Sequence, residues 1–397
     1  MMPLTDNPVT DLDQDALGFA PHVRQLDEAV RNAEPLPLTV GIFGGWGTGK
    51  SSFLGMWRHH LETAELKTPA IWFNPWKYDQ KVEVWSALLH TMLAEIGRKP
   101  SLAKRAAQLA RSATWLSLRA GLGNVASLTT AGVIGKDQIN TLLDDFTRAD
   151  AAECHQVNQF EDDFARLVSE AIPDNGRLFV FIDDLDRCTP DAAIAVLDSL
   201  KLFLGNAQCV FVLALDFDVL TAVSTNKFGT MLAGAPDGSA AGTRYLEKIV
   251  QLPFFLPETG FPAVRTMLAD SVGALARAEP FWEILRVGLG TNPRRLKRFV
   301  NVLNLAMAYQ SPQRQDGVFP LQLTKLLIIR SEHREFFRRI SLDPNHWRAT
   351  AKAEKGVTSE LHQLLTLPYP EAPTGAEVAE LLAALGPELP ALGTADG

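Results

Sequence analysis

The stretch GGWGTGKS, Gly44 to Ser51, constrains this chain more than any other. It follows a short apolar run, LTVGIF, and precedes a segment that reads as a helix. A strand, a glycine-rich turn and a helix in that order make a loop whose backbone N–H groups and helix N-terminus face an anion. The glycines let the backbone wrap a phosphate closely. Lys50 supplies a mobile positive charge for the β- and γ-phosphates, and Ser51 offers a hydroxyl to Mg2+. The expected nucleotide contacts are Gly44, Gly45, Trp46, Gly47, Thr48, Gly49, Lys50, Ser51 and Ser52.

Such a loop needs a carboxylate at the end of a neighbouring buried strand to hold a hydrated Mg2+. FVFIDDLDRC supplies Asp183 after four apolar residues, so Ser51 and Asp183 are the expected metal ligands. Asp184 follows at once, where an acid can orient or deprotonate an attacking water. Two adjacent carboxylates repel, and a divalent cation relieves that repulsion. The plainer reading of Asp184 and Asp186 is that they cap the next turn and helix. Arg187 has two readings as well, a phosphate or neighbouring-subunit contact and a local ion pair with Asp184 or Asp186.

The rest of the chain supports an α/β fold, a parallel sheet flanked by helices with a helical C-terminal lid or extension. RLFVFIDD and CVFVLALD have the length of fully buried parallel strands, with the helical PDAAIAVLDSLKLFL between them. PAIWFNPWKY reads as another strand, ending at Asn74-Pro75, and VEVWSALLHTMLAEIG as a helix. From about Phe261 the pattern turns helical. The predicted organisation is a lead-in and helix over 1–36, a nucleotide-binding core over 37–258 with a helical insertion at about 101–160, a helical subdomain over 259–345, and a Pro/Ala/Gly-rich tail with one amphipathic helix, GAEVAELLAALG, over 346–397.

Composition excludes several classes. A net charge of −8 argues against a surface devoted to nucleic acid, though not against a local basic patch. Three widely spaced cysteines, Cys154, Cys188 and Cys209, with no CxxC pair, argue against a disulfide framework and a zinc site. The acidic start lacks an apolar run, so a cytoplasmic protein is expected. The histidines show no HxxxH spacing. Trp46 and Trp76 are expected to pack the nucleotide domain, with adenine stacking as the other reading of Trp76.

In chain order, GIFGGWGTGKSSFL, IWFNPWKYD, FVFIDDLDRC, ALDFDVL, RYLEKIVQLPFFLP and TNPRRLKRFVN resemble the KAP P-loop NTPases, from about Asp15 to about Leu305. The FNPW and YLEKIVQLPF blocks are the more specific ones. The resemblance implies ATP binding and Mg-dependent hydrolysis by a largely bacterial group, some of it linked to phage exclusion. Relatives often carry transmembrane helices between the two nucleotide motifs. Here the only candidate, Thr114 to Gly135, is interrupted by Arg119 and rich in glycine and hydroxyl residues, so a soluble protein is expected and membrane insertion is not, with peripheral contact to an anionic surface left open.

Related ATPases also suggest roles farther along. Asp216, ending the second buried strand, reads either as a polar sensor of the γ-phosphate or as a helix cap. Asn292 and Pro293 predict a helix start whose buried face is Leu296, Phe299, Val300 and Leu303. Arg294 or Arg295 is then a candidate sensor arginine on a helical lid, with Arg294 first; a solvated basic face and a nucleic-acid face are the other readings. Self-association, with an arginine (Arg187, Arg244 or Arg294) completing a neighbour's site, is expected from the same relatives. Three functions follow from this reading: an ATPase, a nucleotide-gated switch or scaffold acting through an unidentified protein partner, and a nucleic-acid-stimulated ATPase.

Overall fold

The computed structural model describes residues 3–64, 68–78, 84–119, 153–172, 176–202, 208–216, 219, 247–314, 317–352 and 359–385. They divide into a sheet unit, residues 8–15 and 19–257, and a helical unit, residues 1–7, 16–18 and 258–397.

In the sheet unit, α1 (Ala20–Arg31) precedes β1 (Leu38–Phe43) and α2 (Lys50–Thr63). Then come β2 (Ala70–Phe73), α3 (Val84–Ile96), α4 (Ala103–Arg119), α5 (Glu153–Ala171), β3 (Leu178–Ile182), α6 (Pro190–Leu202), β4 (Cys209–Leu215) and β5 (Leu252–Phe255). The described strands form one parallel sheet in the order β2-β3-β4-β1-β5. Every residue of β3 and β4 is buried, as continuous apolar runs covered on both faces require. On one side Trp57 of α2 meets Phe179 and Phe181 edge-on, at 5.9 and 5.8 Å between centroids. Another part of the core gathers Leu88, Met92, Phe164 and Val196 from α3, α5 and α6.

Two features depart from the sequence reading. β5 was not anticipated. It pairs with β1 at the edge of the described sheet, where Pro253 lacks an N–H to give and no other described strand asks for one. In addition, the acid-bearing β3 is not the immediate neighbour of β1. β4 lies between them, paired to both.

The helical unit contains α7 (Phe261–Leu268), α8 (Glu279–Leu289), α9 (Pro293–Ala308), α10 (Val318–Glu332), α11 (Arg334–Leu342), α12 (His346–Lys352), α13 (Ser359–Thr366) and α14 (Gly375–Ala384). α10 is its centre: every residue from Pro320 to Ile329 is buried, which suits a helix surrounded by others. α9 starts as predicted, with the Asn292 side chain accepting from Arg295 N at 3.2 Å and Leu296, Phe299, Val300 and Leu303 turned inward. α14 opens with a capping box between Thr374 and Glu377.

No helix among the described residues is long and apolar enough to cross a membrane. Of the stretch Thr114–Gly135, residues 114–119 end α4 and the remainder lies outside the described residues, as does Arg244.

Candidate nucleotide site

The site is built at the C-terminal ends of β1, β4 and β3. The first residue after β1, Gly44, still donates its N–H to Leu215 O of β4 at 3.2 Å. The first after β3, Asp183, donates to Phe73 O of β2 at 3.1 Å. Each motif therefore leaves the sheet from a fixed point.

The loop that follows β1 depends on its glycines. Gly47 and Gly49 have φ of 80° and 110°, in the left-handed region that a side chain disfavours. A Cβ on Gly44 would stand 2.8 Å from Thr48 Oγ1, and that hydroxyl already donates to Gly45 O at 2.8 Å. The loop thus closes on itself before α2 begins at Lys50.

Lys50 is buried, and its ammonium donates to Gly44 O at 2.8 Å and Gly45 O at 3.2 Å. It also pairs with Asp186 Oδ2 at 3.4 Å. The Ser51 hydroxyl donates to Asp183 Oδ1 at 3.1 Å. Ser52 turns elsewhere, and its Oγ accepts from Val9 N at 3.1 Å. Trp46 and Trp76, expected to pack the domain, are instead 51% and 52% exposed. For Trp76 the cause is local: Pro75 is buried and Tyr78 stacks on Phe73 at 5.5 Å, so the turn between them points its indole outward.

Asp183 is buried, with 5% of its surface exposed. Burial, and after it the charge of Asp184, push its carboxyl up to about 6, against the lowering effect of the Ser51 hydroxyl. A buried carboxylate beside a hydroxyl and a second acid is a hard-oxygen pair whose charge is poorly compensated by the protein, which fits Mg2+. Among the described residues no group of three or more His, Cys, Asp or Glu is placed to hold a metal alone. A site with one carboxylate and one hydroxyl suits an ion that completes its shell with water and substrate phosphates.

Asp184 takes a left-handed φ of 60° and both its oxygens are engaged. Asn74 Nδ2 donates to Oδ2 at 2.8 Å, and Arg187 pairs with Oδ1 at 2.8 Å. Of the two readings of Arg187, the local ion pair is the one observed. Asn74 was read only as the end of a strand; its place in the FNPW block was the available signal. Asp216 is the first residue after β4, and its Oδ1 lies 3.5 Å from Val219 N, in the manner of a cap. Arg294 belongs to the helical unit, where its Nε lies 3.7 Å from Asp6 and Arg298 pairs with the same carboxylate at 2.6 Å.

The family model described as the KAP family P-loop domain matches residues 19–309, about three quarters of the chain. Kinase D-interacting substrate of 220 kDa, from Rattus norvegicus and from Homo sapiens, is 26% identical over 107 residues. That match takes in 27% of this chain and 6% of those proteins, so the chain spans a small fraction of the curated relatives' length. Among solved structures, the Walker-type ATPase PABY2304 of Pyrococcus abyssi aligns at a TM-score of 0.38 and 14% identity, over 96% of this chain and 91% of that one. The Aeropyrum pernix ORC2 protein, in ADPNP–ADP complexes, aligns at 0.37 and 13%, over 96% and 95%.

Proposed function

The chain belongs to the KAP family of P-loop domains, and from that premise we propose that it binds Mg-ATP and hydrolyses the γ-phosphate bond. The observation that carries the reading is the contact of Ser51 with Asp183. It joins the hydroxyl of the phosphate loop to a buried carboxylate from another strand, the two oxygen donors such a metal requires.

In this reading the N–H groups of Gly45 to Ser51 cradle the phosphates and α2 directs its N-terminus at them. Lys50 exchanges the Gly44 and Gly45 carbonyls for phosphate oxygens, since its charge is worth most against the anion that develops in transfer. Ser51 and Asp183 hold Mg2+, which when bound supplies charge neutralisation at the phosphates. Asp184 orients the attacking water and accepts its proton. Arg294 keeps the part of candidate sensor arginine in this reading; within its own unit its Nε lies 3.7 Å from Asp6. Self-association, a protein partner and a part in phage exclusion belong to the same proposal and rest on the family likeness; a cytoplasmic location belongs to it too and rests on the widely spaced cysteines and the acidic start.

A second reading, a nucleotide-gated switch with little turnover, is favoured by the engagement of both Asp184 oxygens. One pair of measurements tests both. Isothermal titration with a non-hydrolysable ATP analogue should show Mg-dependent binding that Lys50→Ala abolishes; equal affinity in the mutant would remove the loop from the site. Phosphate release by the purified chain, alone and with DNA, RNA or membranes, then separates an ATPase from a switch and from a nucleic-acid-stimulated enzyme.

A further inference from the structure

The contacts on Asp184 continue beyond it. Arg187, which holds one carboxylate oxygen, lays its guanidinium 5.6 Å from the ring centroid of Trp76. Trp76 lies two residues after Asn74, which holds the other oxygen. With the backbone from Asn74 to Trp76, these contacts close a ring between two loops, Asn74 and Trp76 after β2, Asp184 and Arg187 after β3. These strands are hydrogen-bonded neighbours, with Phe73 opposite Ile182. The ring is anchored at both strand ends.

Three features set it apart from an ordinary structural staple. Asp184 is the one non-glycine residue with a positive φ among the described residues, a left-handed conformation that few side chains other than Asn and Asp adopt and that fixes where its carboxylate points. The Asn74 amide donates to Asp184 while its own Oδ1 is buried without a hydrogen-bond partner, an arrangement a staple gains nothing from. The indole that completes the ring is half exposed rather than packed, so the ring can be reached from outside.

We propose that Asn74, Trp76 and Arg187 are positioning residues that restrain Asp184, so that hydrolysis stays slow until Trp76 is drawn off Arg187. This rests on the reading of Asp184 as the group that handles the attacking water. The restraint accounts for a site that has every expected part and yet holds its base in a ring.

The test uses the full chain and compares wild type with Asn74→Ala, Trp76→Ala and Trp76→Phe. Releasing one contact should raise kcat by about fivefold with KM and analogue affinity unchanged, in Asn74→Ala and Trp76→Ala alike. Trp76→Phe keeps a ring under the guanidinium and should stay near wild type. Asn74→Ala should gain nothing in an Asp184→Asn background, because the restrained group is gone. Wild-type turnover with no gain, or a loss, in the two alanine variants overturns the restraint alone. Absence of phosphate release from every variant overturns hydrolysis and the restraint together. A second readout does not depend on turnover: with 5-fluorotryptophan incorporated, the fluorine resonance missing from Trp76→Phe identifies Trp76. Asp184→Asn should shift it, since Arg187 loses its anion, and an unmoved resonance overturns the ring.

Discussion

Ser51 and Asp183 are 132 positions apart in the chain, and the hydroxyl of one donates to a carboxylate oxygen of the other at 3.1 Å. Nothing local brings them together; the sheet does. Asp183→Asn keeps an oxygen acceptor for Ser51 but removes the charge, so it separates the metal role from the structural one. We expect the Mg2+ needed for half-maximal binding of an ATP analogue to rise by about ten- to a hundredfold, while thermal stability holds or improves, because an unfavourably buried charge has gone. Titration of binding against Mg2+ checks this, and an unchanged midpoint would place the metal elsewhere.

Asp184→Asn separates binding from chemistry. Nucleotide affinity should stay within a few-fold of wild type, and phosphate release should fall by about a hundredfold or more, the usual cost of losing a general base. A mutant as fast as wild type would pass the role to Asp186, which here pairs with Lys50.

Lys325 carries a pH dependence. It is buried in α10, its ammonium donates to Pro370 O at 2.9 Å, and burial lowers it to about 8. Above its ordinary value of 10.5 it is neutral in both folded and unfolded chains, and burial costs no charge. Below about 8 it is charged in both, and the fold bears the full penalty, about 3 kcal/mol. Lys325→Met should therefore raise the melting temperature at pH 7, less the effect of the lost Pro370 bond. The advantage over wild type should shrink as pH rises from about 8 to 10.5. Paired melting curves at pH 7 and pH 10 test the trend; an advantage that grows with pH would contradict it.

Asp27 ties α1 to α2. One carboxylate oxygen accepts from Trp57 Nε1 at 3.0 Å, and the other pairs with Arg31 at 2.7 Å and lies 3.6 Å from His60 Nε2. Asp27→Ala leaves the fully buried indole N–H without its partner. We expect a loss of about 1–3 kcal/mol in denaturant unfolding, with Asp27→Asn milder because its amide oxygen still serves Trp57. Equal stability of Asp27→Ala and wild type would mean that the tie contributes nothing.

Local signals in the sequence were the readable ones. β3 and β4 are uninterrupted apolar runs, and the glycines around Lys50 admit few other structures, so strands, loop and acids were legible. β5 was not, because four residues with a proline among them have too short a period to register. The position of β4 between β1 and β3 was hidden too, since chain order does not determine sheet order. Motif spacing alone singled out Lys50, Ser51 and Asp183, and the sheet brings Ser51 and Asp183 within 3.1 Å of each other. Asn74 was missed because its partner lies 110 residues away. Trp46 and Trp76 were misplaced because large aromatics favour burial on average, and here a buried proline and a Phe–Tyr stack take up the interior beside Trp76.

The place of β4 also sets when this protein can become itself during synthesis. Cys209–Leu215 is the last of the three central strands to leave the ribosome, yet it is the one to which the other two are bonded. Until Leu215 has emerged, the loop-bearing β1 and the acid-bearing β3 share no hydrogen-bonded edge. A nascent chain halted before Cys209 carries both motifs in full but lacks the strand that joins their two strands in the sheet. Acquisition of the nucleotide site is thus coupled to translation of a strand that contributes none of the catalytic or metal-binding residues proposed above.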